Sequence, residues 1–140
     1  MSAGFETLNL HPNLKKAIDA LGFTKMTSIQ EKVLKFTLAG HDAIGRAQTG
    51  TGKTAAFLVS VINDLLNNPI KEQRFRGETR ALILAPTREL ALQIESDAKE
   101  LTKFTDLHAV TLLGGVDFDK QKAELSKNFV DITCIIRRSF

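Results

Sequence analysis

The apolar positions of this chain recur with two periods, one helical and one extended. Helical spacing, together with start and stop residues such as Pro12 and Gly22, predicts five helices. They cover approximately residues 14–21, 27–39, 55–66, 90–101 and 117–127. The second helix opens with two possible capping boxes, Thr27 with Gln30 or Ser28 with Glu31, which would satisfy the first backbone N–H groups.

Four shorter apolar runs predict strands. They cover residues 42–47, 80–85, 109–113 and 130–136. The run at 80–85 is almost continuously apolar, which is typical of a parallel strand that is covered on both faces. Because these strands alternate with helices, the order predicts an α/β domain with a mainly parallel sheet flanked by helices.

A glycine-rich segment separates the first predicted strand from the third predicted helix. It reads Ala47-Gln48-Thr49-Gly50-Thr51-Gly52-Lys53-Thr54. The terminal Gly-Lys-Thr is typical of phosphate-binding loops, although Ala47 stands where the general motif has glycine. Gly50 and Gly52 permit positive φ and close approach of backbone N–H groups to phosphate. Lys53 can contact the β- and γ-phosphates, and the Thr54 hydroxyl can bind Mg²⁺. The alternative is a turn that happens to precede a lysine.

Composition excludes several classes of protein. The chain has 140 residues, of which 43% are hydrophobic and 25% charged, as expected for one soluble globular domain. The net charge of +3 permits a nucleic-acid partner without arguing for one. Cys134 is the single cysteine, so an internal disulfide is excluded, and the histidines show no metal-ligand spacing. Because no signal peptide or membrane span is evident, we expect a cytoplasmic protein.

Three further motifs, taken together with the glycine-rich segment, form a pattern that is typical of one protein family. They are Phe5 with Gly22-Phe23 and Ile29-Gln30, then Pro86-Thr87-Arg88-Glu89-Leu90-Ala91-Leu92-Gln93, and then Gly114-Gly115. In order and approximate spacing they resemble the Q motif, motif I, motif Ia and GG element of DEAD-box RNA helicases. The resemblance covers residues 5–132 and implies the first RecA-like domain of that family. Residues 8–12 and 112–125 are most similar to the bacterial degradosome-associated branch.

The resemblance implies an ATP site with Mg²⁺. Phe23 would stack on adenine, and Gln30 would hydrogen-bond the adenine edge, a task for which an amide offers both a donor and an acceptor. Phe5 would support this pocket, and residues 47–54 would hold the phosphates. Two alternatives stay open, because Gln30 could serve only as a capping residue and Phe5 could serve only in the core.

The resemblance also implies RNA as a partner. The residues that would touch the RNA backbone are Pro86, Thr87, Arg88, Glu89, Gly114 and Gly115. The helix start after Thr87 can donate to phosphate, Arg88 adds charge, and glycines let RNA approach the main chain. Such contacts do not distinguish one RNA sequence from another. Ordinary cap and turn chemistry is the alternative. The degradosome-associated branch would add the RNA-degradation machinery as a partner.

The chain departs from the family pattern at two places. Met26 and Ser28 stand where the family usually has prolines, which would loosen that segment. Residues 133–140 do not continue toward a Thr-Pro-Gly-Arg motif, and no Asp-Glu-Ala-Asp motif follows. We therefore expect a C-terminally incomplete RecA-like domain with exposed strand edges and low stability. Its predicted parts are a Q-motif helical region at 1–40 and a partial ATP-binding domain at 41–140.

Two functions remain open on the sequence. The first is a fragment of an ATP-dependent RNA helicase that binds ATP and the RNA backbone. The second is a short nucleotide- or RNA-binding remnant with no ATPase or helicase activity. A third class, small phosphate-loop kinases, is disfavoured by the Q motif and the Pro86–Gln93 segment.

Overall fold

The computed structural model describes residues 3–75, 78–115, 117–127 and 129–136. The chain divides into two compact units, Met1–Asn68 with Glu100–Thr105 and Pro69–Lys99 with Asp106–Phe140. The predicted division at residue 40 stays a prediction. Within the described ranges, no helix is long and apolar enough to cross a membrane. The terminal residues 137–140, which are half of the predicted departure at 133–140, lie outside the described residues.

The first unit is helical. A one-turn 3-10 helix at Phe5–Thr7 is followed by α1 (Pro12–Ala20), α2 (Ser28–Thr37) and α3 (Lys53–Asn67). Helix α3 packs against both α1 and α2. The apolar stripes that predict these helices supply the buried side chains Leu14, Ala17, Ile18, Leu34, Leu58, Val59 and Ile62. All three helices therefore lie where the periodicity predicts them.

Helix α2 begins with a complete capping box. Thr27 Oγ1 accepts the Gln30 N–H at 3.4 Å, and Gln30 Oε1 accepts the Thr27 N–H at 2.9 Å. The first of the two predicted boxes is thus the one that forms. It satisfies backbone groups that the helix itself cannot pair.

The second unit contains a three-stranded parallel sheet. Its strands are β1 (Ala81–Ala85), β2 (Ala109–Leu112) and β3 (Ile132–Ile136), in the order β1-β3-β2. Helix α4 (Arg88–Thr102) follows β1, and α5 (Phe118–Lys127) follows β2. The central strand β3 pairs with both neighbours. The predicted α/β class, the parallel sheet and three of the four predicted strands are confirmed.

The prediction of a strand at residues 42–47 is wrong. Residues 41–48 form no regular structure, and the Ile44 side chain is 93% exposed. A strand requires neighbours that accept its backbone hydrogen bonds, and the described sheet offers none to this segment. Ala43 and Gly45 instead line a recess of about 200 Å³ together with Ile29 and Val33 of α2. The apolar composition of a short segment does not show whether a neighbouring strand is available to pair with it.

Asp131 joins the starts of all three strands. Its carboxylate accepts from Arg74 at 2.8 Å, lies 3.6 Å from Arg80, and accepts the His108 N–H at 3.0 Å. Its carbonyl oxygen also accepts the Ala81 N–H at 2.9 Å. The side chain is 4% exposed, so this ion pair sits largely out of water. A buried carboxylate with this many partners fixes the relative position of strands that are distant in sequence.

We expect Asp131→Ala to lower the free energy of unfolding by about 3 kcal/mol, because it leaves Arg74 without its buried counter-charge. Glu100→Ala is the matched control, since its pair with Lys103 is solvent-exposed and should contribute about 0.5 kcal/mol or less. Urea titration monitored by circular dichroism measures both. Equal losses in the two variants would contradict the anchoring role of Asp131.

Candidate functional site

The glycine-rich segment forms a turn that delivers the chain into α3. Gly50 has φ +81° and Gly52 has φ +83°, and Gly52 is the residue immediately before the helix. A Cβ atom on Gly52 would lie 2.3 Å from Nε2 of Gln30. The positive φ favours glycine at position 52, and any Cβ there would also displace the amide of Gln30.

The start of α3 is open to an anion. Gly52 offers no side chain to cap the helix, so the first backbone N–H groups of a 15-residue helix are left for another acceptor. The positive end of the helix dipole lies at the same point. Lys53 is the first residue of this helix and Thr54 the second. The local backbone thus has the features of a phosphate site.

Internal hydrogen bonds hold the loop in its present shape. The Lys53 ammonium donates to the carbonyl oxygen of Ala47, the first residue of the segment. The Thr51 hydroxyl donates to the Gln48 carbonyl at 2.7 Å. The Lys53 side chain therefore lies across the loop, and its ammonium is hydrogen-bonded to an uncharged acceptor.

The start of α2 is hydrogen-bonded directly to this loop. The Thr27 hydroxyl donates to the Thr51 carbonyl at 2.7 Å, and Gln30 Nε2 donates to the Gly52 carbonyl at 3.2 Å. Gln30 is buried, and its oxygen is already used by the capping box. The sequence motifs predict a cap or an adenine contact at Gln30. They do not predict the loop contacts, because no periodic signal links residues more than twenty positions apart.

The two predicted aromatic residues lie together. The Phe5 and Phe23 rings have centroids 6.2 Å apart and planes inclined by 28°. Phe5 is buried, whereas Phe23 is 40% exposed. The segment before Phe5 is held by a hydrogen bond from the Met26 N–H to the Ala3 carbonyl and by one from the Phe5 N–H to the Thr24 carbonyl. This arrangement suits Phe5 as a support under Phe23, and it equally satisfies the alternative of core packing.

The two predicted RNA segments also lie in contact with each other. They follow β1 and β2 at the carboxyl ends of the parallel sheet, and the Arg88 guanidinium donates to the Gly114 carbonyl at 3.2 Å. Thr87 Oγ1 accepts the Leu90 N–H at 3.2 Å and so caps α4. Pro86, Thr87, Arg88, Glu89, Gly114 and Gly115 are all exposed. One solvent-accessible surface therefore carries both segments.

Other reactive groups in the described ranges do not form a second centre. Cys134 is buried in β3, and burial, with a smaller effect of the Glu95 charge, raises the pKa of its thiol to about 11 despite a hydrogen bond with Thr111. Such a thiol is protonated at neutral pH and is a poor nucleophile. The described histidines, cysteine and acidic residues form no group of three or more that could hold a metal ion.

Comparison with known proteins gives a consistent result. Residues 27–140 match the family model of the DEAD/DEAH box helicases. An ATP-dependent RNA helicase RhlB of Pseudomonas aeruginosa is 59% identical over 128 residues, which cover 91% of this chain and 32% of that protein. The protein of the same name from Xanthomonas oryzae pv. oryzae is 49% identical over 91% of this chain and 22% of its own length. The chain thus spans about a third or less of these two relatives, both of which are named RhlB.

A solved structure agrees with the sequence relatives. The DEAD-box helicase Mss116, bound to single-stranded RNA and UDP-BeF, superposes with a TM-score of 0.82 at 35% identity, covering 94% of this chain and 27% of that one. The α/β architecture is therefore that of a RecA-like helicase domain. On the family match and the superposed fold, this chain belongs to the DEAD/DEAH box helicase family.

Proposed function

We propose that this chain contributes ATP binding and RNA-backbone binding to an ATP-dependent RNA helicase. The observation that carries the proposal is the junction at Gly52. There, an uncapped helix start, a glycine with positive φ and the Gln30 amide meet at one point. ATP hydrolysis and strand separation are proposed for the helicase to which such a domain belongs. A cytoplasmic location is proposed with them.

The residues of the loop fit a nucleoside triphosphate. The backbone N–H groups at the start of α3 would bind phosphate oxygens. The Lys53 ammonium now donates to the neutral carbonyl oxygen of Ala47, and a bond to an anionic phosphate oxygen, in which both partners are charged, would be stronger. Thr54 would supply a hydroxyl ligand to Mg²⁺, which offsets phosphate charge when bound. These three features together favour ATP over a smaller anion.

Adenine recognition is proposed for Phe23 and Gln30. The exposed face of Phe23 is backed by the buried Phe5 ring, so a base could stack on it without displacing core residues. Gln30 is held in place by the bonds to Thr27 and Gly52, which orients its amide group in advance. The second N–H of the amide and the second lone pair of its oxygen would then contact the base edge, and a base with the wrong donor and acceptor pattern would leave them without this contact.

RNA binding is proposed for the surface formed by Pro86–Glu89 and Gly114–Gly115. Its support is the Arg88–Gly114 hydrogen bond, which places a cation beside an exposed glycine main chain. Contacts of this kind reach phosphate and sugar and are independent of sequence. An association with the RNA-degradation machinery rests on the sequence resemblance alone and stays a prediction.

The first test is Lys53→Ala. It should weaken Mg-ATP binding at least about tenfold, because it removes a charged hydrogen bond to phosphate. Lys35→Ala, on the exposed side of α2, is the control and should bind like the unmodified chain. Titration with a fluorescent ATP analogue gives the dissociation constants. Unchanged binding by the Lys53 variant would disprove the loop assignment.

A second test separates adenine recognition by Gln30 from its capping role. Thr27→Ala removes the cap and the contact with Thr51. It should therefore weaken the binding of ATP and the binding of GTP by the same factor. Gln30→Ala should in addition reduce the preference for ATP over GTP by about tenfold, the equivalent of one lost base contact. Competition titrations with both nucleotides give this ratio. If Gln30→Ala leaves the ratio where Thr27→Ala leaves it, Gln30 serves as a cap alone.

A third test addresses the RNA surface. Arg88→Ala should weaken binding to poly-U and poly-A alike and should reduce the slope of log affinity against log salt by about 0.7. Lys71→Ala, in the exposed segment before β1, serves as the control. Fluorescence anisotropy over a salt series measures both quantities. Weaker binding with an unchanged slope would mean that Arg88 acts only by supporting the Gly114 turn.

A further inference from the structure

The Gln121 side chain is hydrogen-bonded to the residue that precedes Gly114 and Gly115. Strand β2 ends at Leu112, so Leu113 is the first residue beyond it, and Gln121 is the fourth residue of α5. Gln121 Oε1 accepts the Leu113 N–H at 2.7 Å, and Gln121 Nε2 donates to the Leu113 carbonyl oxygen at 2.9 Å. A single amide group is therefore bonded to both backbone polar groups of Leu113, as an amide can be because it carries a donor and an acceptor.

The start of α5 holds Gln121 in place. The Asp117 carboxylate accepts the Asp119 N–H at 2.9 Å and the Lys120 N–H at 3.4 Å, so Asp117 caps the helix. The Asp117 carbonyl oxygen also accepts the backbone N–H of Gln121 at 3.2 Å. Because the cap fixes the first turn of α5 and Gln121 bonds back to Leu113, the connection between β2 and α5 is fastened at both of its ends.

Two successive carbonyl groups of this connection are held by side chains of different helices. Gln121 of α5 donates to the Leu113 carbonyl, and Arg88 of α4 donates to the Gly114 carbonyl at 3.2 Å. Gly115 follows with φ +77°, a conformation that favours glycine. A main chain that is held in this way is ordered before a ligand arrives, and a ligand then loses less free energy in ordering it.

We propose that Gln121 is a positioning residue for RNA binding, because its amide holds Leu113 and thereby keeps the main chain of Gly114 and Gly115 in the conformation that contacts the RNA backbone. This inference rests on the proposed RNA-binding function of that segment. Gln121 acts through Leu113, since both ends of its amide are bonded there. An uncharged side chain suits this role, because it adds no negative charge beside the phosphates.

Gln121→Met tests the role, because methionine has a similar length and helix propensity but can form neither of the two bonds. The variant should bind poly-U and poly-A about tenfold more weakly, since the segment then spends only a fraction of its time in the binding conformation. The slope of log affinity against log salt should stay the same, because no cation is removed. Gln73→Met, at an exposed residue before β1, is the matched control. Equal RNA affinities of the two variants in fluorescence anisotropy overturn the proposal.

A double-mutant cycle separates positioning from a general loss of stability. Gly115→Ala strains the same segment, because alanine disfavours φ +77°. If Gln121→Met acts through this segment, the double variant should lose about as much RNA affinity as the weaker-binding single variant. Independent effects would instead multiply. Multiplied losses would mean that Gln121 stabilises the fold without positioning the segment, and they overturn the proposal.

Hydrogen exchange in the absence of RNA tests the bond to Leu113 directly. The Leu113 amide should exchange at least about tenfold faster in Gln121→Met than in the unmodified chain, whereas the amides within β2 and β3 should exchange as before. An unchanged rate at Leu113, or equal acceleration throughout β2 and β3, overturns this inference alone. Absence of RNA binding by the unmodified chain would instead overturn the proposed function of the surface, and the role of Gln121 with it.

Discussion

The contact between the start of α2 and the glycine-rich loop determines the geometry of the candidate nucleotide site. Thr27 and Gln30 cap their own helix, and their remaining hydrogen-bonding groups bind the carbonyls of Thr51 and Gly52. Those two carbonyls directly precede α3, so the bonds hold the backbone in the conformation that opens the helix start. A side chain at position 52 would displace the Gln30 amide and so break its bond to the Gly52 carbonyl. The capping box and the candidate phosphate site are therefore parts of one hydrogen-bonded structure.

The sheet positions the second candidate surface by a different route. Asp131 aligns the starts of β1, β2 and β3, and parallel strands aligned at one end also bring their carboxyl ends together. The segments that follow β1 and β2 then meet, as the bond between Arg88 and Gly114 shows. Sites at the carboxyl ends of parallel strands are general in α/β folds. The buried carboxylate of Asp131, at the opposite end of the strands, thus helps to bring the two candidate RNA-binding segments together.

Local signals account for the part of the fold that the sequence predicts. The Thr27–Gln30 box, the stop at Gly22 and the apolar stripes of α1, α3 and α4 each act within a few residues, so their meaning does not depend on distant partners. The strand predicted at 42–47 failed because a strand depends on a neighbour elsewhere in the chain. The Asp131 cluster and the Arg88–Gly114 bond were equally invisible, since each joins residues more than twenty positions apart. The residues of the candidate site were recognisable from the motifs, whereas their mutual contacts were not.

The most direct test of the central claim is an amide NMR titration of the chain with Mg-ATP. The account predicts saturable shifts in the backbone amides of Gly50, Gly52, Lys53 and Thr54 and in the side-chain amide of Gln30. These groups belong to one candidate site and should report a single dissociation constant. Saturable shifts confined to other segments, with these five groups unmoved, would contradict the assignment of the ATP site.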